Sequence, residues 1–352
     1  MKSLLIFWWK LTRASNSSRL DSSQGITMIE LLVGVIMAFL ILTPLLSFVV
    51  NILDTEKQEQ AKTKIEQDVQ NAADYITKDL EKAVFIYDAA GIAVGTPVRT
   101  ALNNAVTKGE PILVFWKREL KPNTIPVLNA TGNGYSNCTQ DQTATNKCDD
   151  TYVFSLVAYY LDPTTNTTWS KQARIVRYSM NDCVKDPTNS TQCITTNTTL
   201  SSLVDPKFVK KDPDPGFYSF SLALTGANIT DKMNKWPLQI NPDGSTSTPT
   251  PQFSTPGTVL VDYIDNGAAK TSNSTPPPTC DIGPVIPSTN QKGFYACVST
   301  DASGKSIAQV VIRGNVAAYL DKNNPNPICG VVSSAKCPQV TLQVQARGVL
   351  AQ

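Results

Sequence analysis

Gly25-Ile26-Thr27-Met28-Ile29-Glu30-Leu31-Leu32-Val33-Gly34-Val35-Ile36-Met37-Ala38-Phe39-Leu40-Ile41-Leu42-Thr43-Pro44-Leu45-Leu46-Ser47-Phe48-Val49-Val50-Asn51-Ile52-Leu53 is the stretch on which the reading of this chain turns. No charge interrupts residues 31–53. At 1.5 Å per helical residue that run spans roughly 35 Å, enough for the hydrocarbon core of a bilayer. Upstream, Lys2, Lys10, Arg13 and Arg19 stand against Asp21 alone. Downstream comes Asp54-Thr55-Glu56-Lys57-Gln58-Glu59, with no small-residue cleavage site, which fits a secretory signal peptide badly. A plain signal anchor is the bland reading of such a run. Two features go beyond it. The basic, polar leader ends in Gly25, and a lone carboxylate, Glu30, sits five places later. A charged carboxylate in lipid costs about 3 kcal/mol on insertion scales, so it calls for a partner or a function.

Gly25 followed by Ile26-Thr27-Met28-Ile29-Glu30-Leu31-Leu32 resembles the class III leader of type IV pilins and type II secretion pseudopilins. In that family a prepilin peptidase cuts after the glycine and methylates the new N-terminus. The resemblance therefore implies cleavage between Gly25 and Ile26, N-methylation of Ile26, and an assembly role for Glu30, paired with the N-terminal amine of a neighbouring subunit. The family usually begins its mature chain with Phe where this one has Ile26. A lone buried carboxylate is strained by desolvation, and an arriving amine relieves that strain. Such a pair fixes subunit register more than it adds stability. The rival for Glu30 is a carboxylate snorkelling near the membrane edge. Pro44 removes a helical hydrogen bond and is expected to kink or loosen the helix, in the manner of a membrane-helix proline or of pilin-like helices.

The helix does not end with the apolar run. Ala61, Ile65, Val69, Ala72, Ile76, Leu80 and Ala83 recur at steps of three and four, one apolar stripe with charges elsewhere, Asp74 and Lys78 as an i,i+4 pair among them. A coiled coil is the alternative, over only about three heptads. Beyond residue 84 the pattern becomes short β-branched and aromatic segments bounded by turn residues: Pro111–Leu120, Tyr152–Leu161, Ala173–Met180, Phe217–Leu224, Thr258–Ile264, Gly293–Ser299, Ala308–Leu320 and Gln339–Leu350. Val157–Leu161 with Arg174–Tyr178 is similar to the central hairpin of larger minor pilins and J-type pseudopilins. Asn241–Gly257 and Lys270–Thr279 read as loops.

The expected fold is α+β, of the type IV pilin-like kind: a long N-terminal helix, transmembrane in its first half, packed on a mostly antiparallel β-sheet domain. The expected divisions are a leader at 1–25, a transmembrane assembly helix at 26–53, its amphipathic continuation at 54–84, and an extracytoplasmic, disulfide-containing body at 85–352.

Composition narrows the function. Lys and Arg number 31 against 29 Asp and Glu, a net of +2 over 352 residues. Removing the four cations and one acid of the leader turns that into −1. No basic cluster marks a nucleic-acid surface. Histidine is absent, which removes His-based general bases, Ser-His-Asp and Cys-His nucleophiles, and the commonest transition-metal ligand. The eight cysteines all follow residue 137. Proximity pairs Cys138 with Cys148, Cys183 with Cys193, Cys280 with Cys297 and Cys329 with Cys337, in an oxidising compartment. Zinc is disfavoured, since no C-x-x-C occurs. Asp149-Asp150 and Asp212-Pro213-Asp214 suit calcium or ordinary turns. Gly304-Lys305-Ser306 lacks the leading glycine of a phosphate loop, with Ser299 in its place. Asn129, Asn137, Asn166, Asn189, Asn197, Asn228 and Asn273 open N-x-[ST] triplets that mark polar loops.

No enzyme and no cofactor is expected. The family resemblance implies a low-copy minor pilin or pseudopilin working with the prepilin peptidase, other pilins, an inner-membrane assembly platform and a separate cytoplasmic ATPase. Among pseudopilins the leader and layout are similar to those of hormogonium polysaccharide secretion in filamentous cyanobacteria, which implies polysaccharide export and gliding motility. The alternatives are a type II-like pseudopilin for protein export, or an anchored adhesin whose Trp116, Trp169 or Trp236 stacks on sugars.

Overall fold

The computed structural model describes residues 27–128, 132, 134–140, 147–164, 167–205, 213–241, 243–253, 256–266, 280, 282–287, 293–321 and 337–347. Helix α1 runs Met28–Leu80. The chain divides into two compact units, Met1–Glu56 and Lys57–Gln352.

In the first unit every described residue is exposed, apolar and polar alike. In the second, the 57–80 segment of α1 buries Ala61, Ile65, Val69, Ala72, Ala73, Ile76, Asp79 and Leu80. This is the stripe that the periodicity predicts, with one carboxylate added. The helix stops at Leu80, short of the expected 84, because Ala83–Ile86 forms strand β1, all four residues buried. Val84, Phe85 and Ile86 are β-formers, and pairing Phe85 and Ile86 with Trp116 and Phe115 wins over another helical turn. Asp74 accepts from Gln70 Nε2 at 3.0 Å rather than pairing with Lys78. The i,i+4 ion pair of this segment at hydrogen-bond distance is Lys64–Asp68, at 2.8 Å.

Helix α2, Pro97–Ala105, follows β1, with Thr96 accepting from Arg99 N at its start. Then come β2 (Glu110–Ile125), β3 (Asp149–Asp162) and β4 (Ala173–Asn181). A small hairpin, β5 (Lys185–Asp186) with β6 (Asn189–Cys193), hangs beyond β4. Helix α3 (Ile229–Met233) and the two-residue strands β7 (Gln239–Ile240) and β8 (Thr246–Ser247) lead to β9 (Thr258–Ile264). The last elements are β10 (Val285–Ile286), β11 (Phe294–Thr300), β12 (Ser306–Arg313), α4 (Val316–Leu320) and β13 (Gln339–Gln345).

The strands form a five-stranded sheet in the order β1-β2-β3-β4-β9 and a four-stranded sheet β10-β11-β12-β13, with every pairing antiparallel. The architecture is thus α+β, a long N-terminal apolar helix followed by antiparallel sheets. Thr300 Oγ1 donates to Ile86 O at 2.8 Å, and Ile86 N donates to Ser306 Oγ at 3.2 Å, joining the edge of one sheet to a strand of the other. The 57–80 helix lies over both. Its Ile65 and Val69 sit so close to Gly314 that a Cβ there would collide with Ile65 Cγ2 and lie 3.1 Å from Val69 Cγ2. One core runs from the helix stripe through both inner sheet faces.

Two expected strands are corrected. Phe217–Leu224 is not extended into a sheet. Its aromatics cap the core instead: Phe217 and Phe220 pack edge-on against Trp116, at 6.1 and 5.0 Å between ring centres. Such a run reads as a strand because its hydrophobicity, not its backbone, is what the core uses. The segment Ala308–Leu320 is strand only to Arg313, after which Asn315 Oδ1 caps α4 by accepting from Ala318 N at 2.9 Å. Most of Asn241–Gly257 is irregular, as expected, apart from β8. Lys270–Thr279 lies outside the described residues.

Disulfides join Cys138 to Cys148, Cys183 to Cys193 and Cys280 to Cys297, with Cα atoms 5.8, 5.7 and 5.7 Å apart. Cys337 is disulfide-bonded as well, and Cys329, its nearest neighbour in sequence, lies outside the described residues. The first two bridges flank a small satellite core of Val153, Val184, Ile194, Leu200 and Val204. A cluster that small gains most from shortening the unfolded loops, about 2–3 kcal/mol for each bridge of this length.

Candidate functional site

The N-terminal helix is built to be covered by something other than its own chain. Nineteen large apolar side chains between Met28 and Leu53 are about half exposed or more. Full exposure of such a side chain forfeits roughly 1.5–3 kcal/mol, so at about half that exposure the nineteen together forfeit about 15–30 kcal/mol. That is at least as large as the 5–15 kcal/mol by which a folded domain is stable, so cover for this segment from outside its own fold is strongly favoured. The helix is long and apolar enough to cross a membrane, and none of its apolar window is buried in the protein.

Gly25 and Ile26 lie outside the described residues. The helix begins just beyond them, where Thr27 Oγ1 accepts from Glu30 N at 3.3 Å. Thr27-Met28-Ile29-Glu30 is the T-x-x-E pattern of a capping box, a signal that fixes the helix start and places Glu30 in its first turn. Glu30 is exposed, and its carboxylate makes no ion pair among the described residues. An acid in the first turn also suits the positive end of the helix dipole, so Glu30 has a local use that asks for no neighbour. Pro44 sits inside the helix, which continues through it. Without an N–H at Pro44 the Leu40 carbonyl loses its helical donor. Beside it, Thr43 Oγ1 donates to Phe39 O at 2.7 Å.

In the second unit, the sequence hides a carboxylate of the opposite kind. Asp79 is 7% exposed, on the buried side of the last turn of α1. It collects donors from three consecutive strands: Lys117 Nζ on β2 at 3.1 Å, Tyr159 OH on β3 at 2.8 Å, and Arg177 Nε on β4 at 2.7 Å. The Arg177 guanidinium also faces the Tyr75 ring, 5.7 Å from its centre. Burial alone would raise the Asp79 pKa; the Arg177 hydrogen bond and the charges of Lys117 and Arg177 outweigh it, and the carboxyl titrates below its ordinary range. Burial pushes the Tyr159 hydroxyl up, as does the Asp79 charge, so Tyr159 stays a neutral donor. The network anchors the helix in rotation and height against the sheet. Its only trace in sequence is an acid one place before Leu80, inside an apolar stripe.

The remaining motifs resolve into local structure. Asp150 Oδ1 accepts from Asn123 N at 2.8 Å, and Asp214 Oδ2 accepts from Asn181 N at 2.7 Å; Asp212 lies outside the described residues. Among the described residues no three His, Cys, Asp or Glu side chains are grouped to hold a metal. Asn137 Oδ1 accepts from Thr139 N and Oγ1, at 3.0 and 2.7 Å, and Asn197 Oδ1 accepts from Thr199 N at 3.0 Å. Asp186-Pro-Thr188, Asp243-Gly-Ser245 and Asp301-Ala-Ser303 make the same bonds with a carboxylate. These N-x-T triplets therefore belong to one turn chemistry that Asn and Asp share. Asn129, Asn166 and Asn273 lie outside the described residues.

Two of the three tryptophans considered for sugar stacking are core residues. Trp116 is fully buried and donates from Nε1 to Tyr87 OH at 3.1 Å; Trp236, 1% exposed, donates from Nε1 to Tyr218 O at 2.8 Å. Trp169 remains at the surface. Among the described residues two surface hollows are open grooves, one bordered by Thr77, Glu81, Lys305 and Gln343–Arg347, another by Glu81, Lys82, Arg118 and Tyr152. Neither gathers an acid–base pair over an enclosed cavity. Compared with protein-family models, with curated proteins and with solved structures, the chain matches none.

Proposed function

We propose that this chain is a minor pilin or pseudopilin: a subunit held in the membrane by residues 26–53, trimmed between Gly25 and Ile26, methylated at Ile26, and built into a type IV pilin-like filament. The observation that carries the reading is the contrast within α1. Its first part exposes apolar side chains on every face, with Glu30 at its head, while its 57–80 part is anchored to a sheet. A plain anchor needs only the first part. A subunit that must place a head group against its neighbours needs both. Before assembly lipid covers the apolar helix, and afterwards sister helices do. Glu30 then pairs with the amine of an adjacent Ile26, which sets register. On this reading residues 54–352 lie outside the cytoplasm, where disulfides form. The partners are the peptidase, other pilins and an assembly platform driven by a separate ATPase. The chain itself carries out no catalysis and holds no cofactor. Export of a polysaccharide, in support of gliding, is the cargo reading we favour over protein export, on the likeness of leader and layout.

Glu30→Ala is the direct test. The variant is expected to remain in the membrane fraction and to vanish from filaments sheared off the cell. An unchanged yield of sheared material would leave only an anchored surface protein. Intact-mass measurement of the mature chain, expected to start at Ile26 with one added methyl, tests the processing separately.

A further inference from the structure

The outer edge of the four-stranded sheet is formed by β13, Gln339-Val340-Thr341-Leu342-Gln343-Val344-Gln345. Its ladder with β12 runs without a bulge from Gln339↔Arg313 to Gln345↔Ile307. The flanking bonds fix which way its backbone groups point. Ala346 N donates to Ser306 O and Gly314 N donates to Pro338 O, both at 2.9 Å. Alternation along an antiparallel ladder then turns Val340, Leu342 and Val344 toward β12, and the N–H and C=O groups of Gln339, Thr341, Gln343 and Gln345 outward. Among the described residues those outward groups have no bond beyond the ladder. Proteins usually protect such an edge with charge, proline or a bulge. This one has none of the three across its seven residues.

The strand is also nearly symmetric about its centre. We propose that β13 pairs antiparallel with β13 of a second copy of this chain, about a two-fold axis at Leu342. That register sets Gln339 against Gln345, Thr341 against Gln343, Val340 against Val344 and Leu342 against itself. Polar side chains meet polar ones on the outer face, and half-buried Val340 and Leu342 meet apolar ones on the inner. An axis on any single residue brings outward backbone groups opposite outward backbone groups; the side-chain pattern, which reads nearly alike in both directions from Leu342, selects that centre. The contact is isologous and closes as a dimer.

Direction fixes the geometry within the pair. Ile65 and Pro338 both approach Gly314, and Glu81 lies 3.5 Å from Arg347, so the 57–80 helix and β13 run the same way. The two-fold axis sets the two 57–80 helices antiparallel. A seven-residue edge buries less than the roughly 1,200 Å² of stable complexes, so a single contact is weak and repetition would strengthen it. The pairing does not rest on the filament reading above.

Cysteine cross-linking of the full chain in detergent tests the register. Residues at the axis form a non-hydrogen-bonded pair with Cα atoms about 4.5 Å apart, within disulfide reach. Leu342→Cys is expected to give a covalent dimer under mild oxidation, and Thr341→Cys, which faces Gln343 of the other copy, is not. Sedimentation of the chain with both Thr341→Lys and Gln343→Lys, which opposes like charges twice, is expected to show dimerisation weakened about tenfold. Mixing it with the Thr341→Glu and Gln343→Glu chain should restore a heterodimer. A Leu342→Cys chain that stays monomeric, or a dimer indifferent to the lysines, overturns the proposal. Glu30→Ala should abolish filaments and leave the Leu342→Cys cross-link intact, so the two readings fail separately.

Discussion

The two parts of α1 are made of one kind of backbone and two kinds of surface. Between residues 28 and 53 apolar side chains point in all directions and the single acid, Glu30, has no ion-pair partner in its own chain among the described residues. Between 57 and 80 they keep to a stripe, and the single buried acid, Asp79, has Lys117, Tyr159 and Arg177 gathered around it. A helix that is apolar all round must find its surroundings outside the fold; a striped one carries them within it. The contrast between the acids follows: one is completed by the chain's own strands, and the other is left at the surface of its helix.

The largest way to break this contrast is Asp79→Ala. It leaves Lys117 and Arg177 buried beside a cavity, and breaking such a buried pair costs about 3–5 kcal/mol. Denaturant unfolding followed through the fluorescence of core Trp116 and Trp236 should show the loss. Next comes Cys183→Ser with Cys193→Ser, expected to cost about 2–3 kcal/mol and to expose the satellite core first, read by hydrogen exchange around Ile194. Gly314→Ala should cost about 1–3 kcal/mol, since the added methyl forces Ile65 and the helix away from the sheet. A subtler test is pH. A carboxyl held below its ordinary value of 3.8 gives stability that is fully present above that pH and lost as pH falls through the folded value. Acid unfolding of the natural chain should therefore steepen below about pH 4, and Asp79→Asn should flatten that slope. The smallest expected effect is the most informative. Glu30→Ala, at an exposed position, should shift stability by no more than about 0.5 kcal/mol, and on the filament reading proposed above it should abolish assembly.

Much of this was legible. The apolar run and the 61–80 stripe follow from composition and period alone, and β2, β3, β4, β9 and β11 announce themselves by their β-branched and aromatic content. What escaped reading escaped for physical reasons. Val84-Phe85-Ile86 would extend the stripe or make a strand equally well, and only the partner Phe115–Trp116 decides. Phe217–Leu224 has a strand's hydrophobicity and a loop's backbone. Asp79 breaks the apolar pattern, and what makes it tolerable, three donors 38, 80 and 98 residues away, is invisible to any local window. The Thr27-x-x-Glu30 cap was in plain view, but a carboxylate heading an apolar run draws attention to lipid before it draws attention to a helix end.

Those sequence separations also bear on how the chain is made. The last donor to Asp79 is Arg177, and 98 residues of synthesis separate the two. By the time the guanidinium emerges, the ribosome has long since delivered the apolar helix, and nothing yet holds the lower turn in its final orientation. Docking must wait for three strands to be laid side by side, each closing a longer loop than the last. The seat of the helix is thus a late event in folding, and the apolar segment is complete well before the carboxylate that follows it has found its donors.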